Sequence, residues 1–253
     1  GGIFSTVCVD ASYYRFPSEK YLAALAEKVP SNFRFAHKVT DTITIKNFPA
    51  LKRHGKFAGH ANPYYLNSEI FLQSFLSPLA QHQEQTGLII FEFSHFYPKD
   101  YRYGRDFVSD LNSFLAKLPT KEWDFGVEIR NASLLQKSYF DTLERHSVAH
   151  VYNQWQRMPD LADQLELRWP NPENSPTGCR LLLKRGRDYD GAVKSFAPYD
   201  RTIEVLENVR HASAKLIRSR KEKGSGRRTY LYVNNRLEGN ALATIAAILA
   251  LLD

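Results

Sequence analysis

Seven short apolar runs in this chain each lead into side chains that can bind charge or move a proton. Asp10, Ser12, Tyr14 and Arg15 follow the first run, Lys38 closes the second, and Glu92 closes the third just before Ser94 and His95. Glu128 and Arg130 close the fourth and Asn153 the fifth. Lys184, Arg185 and Arg187 follow the sixth, and Asn234 with Asn235 the seventh. An unpaired charge in an apolar strand costs on the order of several kcal/mol, so such residues persist for pairing or for chemistry.

Glu92 and Glu128 end neighbouring runs, and three arrangements suit them. They form an acid–base pair with separated pKa values, the ligands of a carboxylate-held divalent metal such as magnesium, or two members of an ion-pair network. The third arises because Glu128 and Arg130 stand two apart on one strand and share a face. Lys38 suits a Schiff-base or phosphate-binding lysine, and equally a counter-ion for either glutamate. The catalytic candidates are therefore Glu92, Glu128 and Lys38. The substrate-binding candidates are Asp10, Ser12, Tyr14, Arg15, Arg130, Asn153, Lys184, Arg185, Arg187, Asn234 and Asn235. His37, His95 and His150 fall near strand ends, but no HxH or HExxH spacing occurs, so a dedicated zinc site is not expected. No cofactor is evident.

Lys184-Arg185-Gly186-Arg187 and the later Gly239-Asn240 mark a possible anion site. Arginine forks suit phosphate oxygens, glycine admits close backbone approach, and a helix starting after Asn240 would present free N–H groups. The alternative is ordinary loop chemistry with a cap at Asn240, the arginines turning to Asp188, Asp190 or Glu238. Tyr13-Tyr14, Tyr64-Tyr65, Phe96-Tyr97 and Tyr101-Arg102-Tyr103 supply aromatic surface for packing or for stacking on sugars and bases. The basic run Arg218–Arg228 links a helix to the next strand, which reads as a solvated helix end on the face away from the site.

Elements of alternating type must position these groups. The expected strands are Phe4–Asp10, Phe33–Val39, Gly87–Phe93, Asp124–Arg130, Val148–Asn153, Arg180–Gly186 and Arg228–Asn235. Their near-continuous apolar character is that of parallel strands buried on both faces. Helical spacing follows Ser18 through Tyr21, Leu22, Leu25, Ala26 and Val29, and recurs from Phe107 to Leu118 and from Ile203 to Leu216. A last helix covers Ala241–Leu252, and the Pro- and Asn-rich stretch Trp169–Gly178 reads as a loop within the domain. This β–α alternation points to a parallel sheet covered by helices, with its site at the carboxyl ends of the strands. Such a barrel closes with eight strands. Seven are present, so either one precedes Gly1 or the sheet is open.

Composition limits the partners. A formal charge of +7 favours anionic molecules, a small phosphate-bearing metabolite ahead of nucleic acid. No run of about 18 apolar residues predicts a membrane span. Cys8 and Cys179 lie in separate apolar runs with no CxxC pair, as expected of buried thiols in a reducing cytoplasm. Nothing in the sequence predicts an oligomeric state.

Several segments carry a resemblance when taken in order. Val7-Cys8-Val9-Asp10-Ala11-Ser12-Tyr13-Tyr14-Arg15-Phe16-Pro17 resembles a second-strand motif usually written Val-Glu-x-Asn-Ser-Thr-Phe-Tyr-Arg-x-Pro. Asn32–Val39, Phe91-Glu92-Phe93 and Val127-Glu128-Ile129-Arg130-Asn131 resemble the next three strands. Phe196-Ala197-Pro198-Tyr199-Asp200 and Val233–Ala241 resemble the segments after strands seven and eight. The chain thus resembles the YecE-like family, domain of unknown function 72. The resemblance implies one TIM-like β/α barrel across residues 1–253, with seven strands here and the family's opening strand missing. Cys8 and Asp10 replace the family's usual Glu and Asn, and Arg185 stands where many members have His. The expected function is that of a barrel enzyme acting on an anionic substrate, with a hydrolase or lyase using carboxylate chemistry as the expected class. Two readings stand beside it: a nucleic-acid-binding protein or phosphodiesterase, and a ligand-binding barrel without turnover.

Overall fold

The computed structural model describes residues 4–167, 175–222 and 228–252. Seven parallel strands form one sheet in strictly sequential order. They are β1 (Thr6–Val9), β2 (Arg34–Lys38), β3 (Thr86–Phe93), β4 (Phe125–Ile129), β5 (Ala149–Gln154), β6 (Thr177–Leu181) and β7 (Thr229–Val233). The sheet curls into a nearly closed barrel flanked by helices. No ladder joins β1 to β7 among the described residues; a side-chain hydrogen bond bridges them, Thr6 Oγ1 to Tyr232 Oη at 3.3 Å.

Helices follow the strands: α1 (Glu19–Ala26), α2 (Gly104–Leu115), α3 (Lys137–Arg145), α4 (Leu161–Leu165), α5 (Tyr189–Phe196), α6 (Glu207–Glu222) and α7 (Ala241–Ala250). Ser18 caps α1 by accepting from the Tyr21 amide, and Asn240 caps α7 by accepting from Ala243. On the outer face of the sheet, Ile89, Phe91, Phe93, Val127 and Ile129 pack against Phe107, Leu111 and Phe114 of α2. The inner face carries Ala36, Leu88, Ile90, Val151, Tyr230 and Tyr232. Fully burying side chains of this size stabilises by about 1.5–3 kcal/mol each. Gly126 and Gly178 leave room inside: a Cβ would stand 2.7 Å from Val151 Cγ2 at the first and 2.6 Å from Leu88 Cδ2 at the second.

Two expectations need correction. β6 begins at Thr177, not Arg180, because Thr177–Leu181 pairs with Thr229–Val233. Arg180 is thus inside the strand, and Lys184 lies past its end. Ile203 and Leu206 precede α6 instead of belonging to it; Ile203 N and Leu206 N bond to Glu238. Residues 168–174 of the expected loop and 223–227 of the basic run lie outside the described residues. Among the described residues, no helix is long and apolar enough to cross a membrane.

Candidate functional site

The twofold alternation of strand side chains sends Asp10, Lys38, Glu92, Glu128, Arg130 and Arg180 toward the barrel axis. Glu92 and Glu128 are direct register partners on β3 and β4. Like charges on adjacent positions repel, so the pair exists only because cations interleave it. Glu92 Oε2 lies 3.0 Å from Lys38 Nζ and 3.1 Å from Arg130 Nη2, and it also accepts from Arg180 Nη1. Glu128 places Oε1 2.7 Å from Arg130 Nη2 and Oε2 2.6 Å from Arg180 Nη1. Both glutamates, both arginines and the lysine are buried. Burial alone would raise the Glu92 carboxyl, but Arg130, Lys38 and Arg180 outweigh it and hold it well below the ordinary carboxylate range.

Aromatic faces cover two of the three cations. Lys38 Nζ sits 4.1 Å from the Tyr13 ring centroid, and the Arg130 guanidinium 4.1 Å from that of Trp155. Burial and the neighbouring Glu92 push the Tyr13 phenol above its usual range, with Ser94 bonded to it. Arg180 has no such cover. It opens with Asp10 and Asn234 onto a cavity of about 530 Å³ that follows the seam between β1 and β7. The Asp10 side chain is 60% exposed and stands 3.6 Å from both Lys38 Nζ and Arg180 Nη2.

The other candidates scatter. Ser12 is a clip, its Oγ donating to the carbonyls of Val9 and Lys38 across β1 and β2. Tyr14 and Arg15 lie outside the cluster, Tyr14 under Arg53 and Arg15 over Tyr21. Asn153 is the register partner of Arg180, and its Nδ2 donates to the Ile129 carbonyl. Lys184 and Arg187 both pair with Glu204. Arg185 lines a separate recess of about 250 Å³ with Lys184. Asn234 accepts from Arg236 N, Asn235 from Ala241 N, and Asn240 Nδ2 donates to the Tyr199 carbonyl. Lys184 and Arg187 thus share one carboxylate partner, and Asn240 caps the start of α7. Asp188 caps α5, and Glu238 accepts from Arg210 instead of from the Lys184–Arg187 loop.

His37 and His150 point outward between sheet and helices. Burial lowers their imidazole pKa to about 4 and about 3, and His150 Nδ1 lies 3.0 Å from Tyr139 Oη. His95 Nδ1 instead meets the Arg130 carbonyl at 3.0 Å. Among the described residues, no three His, Cys, Asp or Glu side chains converge as a metal-ligating group. The residue missed in the sequence is Arg180. Its signal was a lone charge between Cys179 and Leu181, hidden by placing the strand three residues too late.

Known proteins resemble the chain in fold. A DUF72 family protein from Enterococcus faecalis V583 superposes with TM-score 0.69 at 16% identity, covering 99% of this chain and 90% of that one. A DUF72 family protein from Thermotoga maritima MSB8 gives TM-score 0.61 at 19% identity, covering 98% and 85%. No curated protein matches the sequence. The family model described as "Protein of unknown function DUF72" matches residues 1–253, and the chain belongs to that family.

Proposed function

We propose that this barrel is an enzyme that takes a small anionic, phosphate-bearing molecule at the carboxyl end of its strands. The supporting observation is a charge imbalance. Three buried cations, Lys38, Arg130 and Arg180, face two buried carboxylates, Glu92 and Glu128. The third carboxylate, Asp10, is mostly in solvent and stays beyond hydrogen-bond distance. An incoming anion meets one uncompensated positive charge, in a setting of low dielectric where that charge acts strongly.

In this reading Glu92 and Glu128 are fixed counter-charges that aim the cations. Glu92, held ionised by three cations, has no proton to give and little tendency to take one. Asp10 is the network carboxylate that reaches solvent, so proton exchange with a bound molecule runs through it. Lys38 and Arg180 neutralise charge developing on the substrate. Residues 1–253 act as one domain, and the unpaired Cys8 and Cys179 accord with a cytoplasmic setting.

Calorimetric titration with inorganic phosphate and with a phosphate monoester tests the proposal. Asp10→Asn removes the loose counter-ion without disturbing the core and is expected to tighten binding. Lys38→Met is expected to weaken it. Binding indifferent to both substitutions would overturn the reading.

A further inference from the structure

The exposed tyrosines of this protein are not scattered. Among the described residues they are Tyr14, Tyr64, Tyr97, Tyr103 and Tyr189, and each lies on a segment that leaves the carboxyl end of a strand. Four of the five leave β1, β2 and β3, which are adjacent in the sheet. Tyr14 is the most open, at 62%. Burial of apolar core does not explain such rings, because each stays 38–62% exposed.

Cations stand beside them. The Arg53 guanidinium lies 5.1 Å from the Tyr14 ring centroid, and those of Arg102 and Arg105 lie 5.3 and 4.7 Å from that of Tyr103. Contacts run across the loops as well. Phe57 meets Tyr64 edge-on, and Asn47 Nδ2 donates to Asp100, whose other oxygen accepts from Tyr97 N. The β2 segment from Val39 to Asn67 contains Lys46, Lys52, Arg53 and Lys56; Arg53 pairs with Asp41 at 3.2 Å and Lys46 with Asp110 at 3.7 Å, while Lys52 and Lys56 have no carboxylate partner among the described residues. No carboxylate pairs with Arg102 among the described residues. Lys184 and Arg187 at the β6 loop are both paired with Glu204.

We infer that the rim over β1, β2 and β3 binds single-stranded nucleic acid, its bases stacking on Tyr14 and Tyr103 and its phosphates meeting Lys52, Lys56 and Arg102. Half-exposed rings beside cations are what an unpaired strand offers contacts to: flat bases at one level and a charged backbone at the other. A duplex conceals its base faces, and a simple polyanion has none. An acidic protein surface offers charge without planar groups of this kind. The inference uses residues outside the Lys38–Arg180 network, so it stands or falls apart from the small-anion proposal.

Fluorescence anisotropy with labelled oligo(dT) on the full chain tests it, with an annealed duplex, heparin and phosphatidylserine vesicles as competitors. Oligo(dT) is expected to bind at low salt and to be displaced by unlabelled strand more readily than by duplex. Tyr14→Ala and Tyr103→Ala should each weaken binding by about tenfold, while Tyr103→Phe keeps it, because the ring and not the hydroxyl makes the contact. Arg102→Ala should lower the slope of log affinity against log salt by about one. These side chains are exposed, so the variants fold. Absence of binding at low salt overturns the inference. So do equal competition by heparin, duplex or vesicles, and tyrosine variants that bind like the parent. Asp10→Asn and Lys38→Met leave strand binding unchanged, which separates the two readings.

Discussion

Arg180 Nη1 lies 2.6 Å from Glu128 Oε2 in the barrel interior, and Glu128 is fully buried. The same nitrogen donates to Glu92. One guanidinium thus holds two adjacent carboxylates together. Arg180→Met keeps the volume and removes the charge, leaving two glutamates short of a cation. Breaking a buried pair in this way costs about 3–5 kcal/mol. Urea unfolding is expected to show a loss of that order. Adding Glu128→Gln to the same protein should recover part of it; no recovery would mean that packing, not charge, sets the cost.

Acid sensitivity follows from the buried histidines. Folded His37 and His150 have pKa values lowered to about 4 and about 3 from 6.5. Their depressed values mean that the unfolded chain binds protons first. Stability is therefore full above about pH 6.5 and falls as pH drops toward those folded values, with a slope of up to two protons. Glu92, also depressed, adds a loss that begins only below its ordinary value of 4.5. Chemical denaturation between pH 7 and 5 reads the slope. His150→Gln should remove about one proton from it, and an unchanged slope would refute the assignment.

Glu238 ties three elements together. It is fully buried and accepts from Leu206 N, from Arg210 and from Thr244 Oγ1. Glu238→Ala strands the Arg210 charge and opens the start of α6. A loss of about 3 kcal/mol or more is expected by denaturant unfolding, with faster amide exchange at the first turn of α6. Uniform protection of that turn would show that Glu238 does not hold it.

Two glycines of positive φ make a matched test of backbone strain. Gly239 has φ +109°, and a Cβ there would meet the Arg201 carbonyl at 2.6 Å. Gly55 has φ +53° with open space around it. Gly239→Ala is expected to lower the melting temperature clearly, since strain of about 1–3 kcal/mol is joined by a clash. Gly55→Ala should change it little. Comparable melting shifts in the two variants would contradict this ranking.

The parallel sheet was legible because buried strands announce themselves as short apolar runs, as Leu88-Ile89-Ile90-Phe91 does. The Glu128–Arg130 contact was legible from spacing alone, two residues apart on one strand. What failed was register. Leu181-Leu182-Leu183 drew the sixth strand forward, although Leu182 N and Leu183 N both bond to the single Gln154 carbonyl and the ladder has already ended. That shift concealed Arg180 and promoted Lys184 and Arg187, whose partner Glu204 lies well away in sequence. His37 and His150 show a related limit: proximity to a strand end does not say which face a side chain takes, and parity sends both outward. Ser12 shows a further limit, since a hydroxyl among charged neighbours is as readily a backbone clip as a ligand.

The open seam gives the charge network a mechanical side. Asp10 follows β1 at one edge of the sheet, and Arg180 sits on β6, one strand in from the other edge. Their 3.6 Å approach crosses the gap that no ladder spans. Lys38 meets Asp10 from the adjacent strand, so that contact travels with β1 when the edges move. Asp10 reaches the Arg180 guanidinium from the β1 edge, while Glu92 and Glu128 hold the same group from inside the barrel. Side-chain attraction thus links the two sides of the seam where the described residues form no ladder.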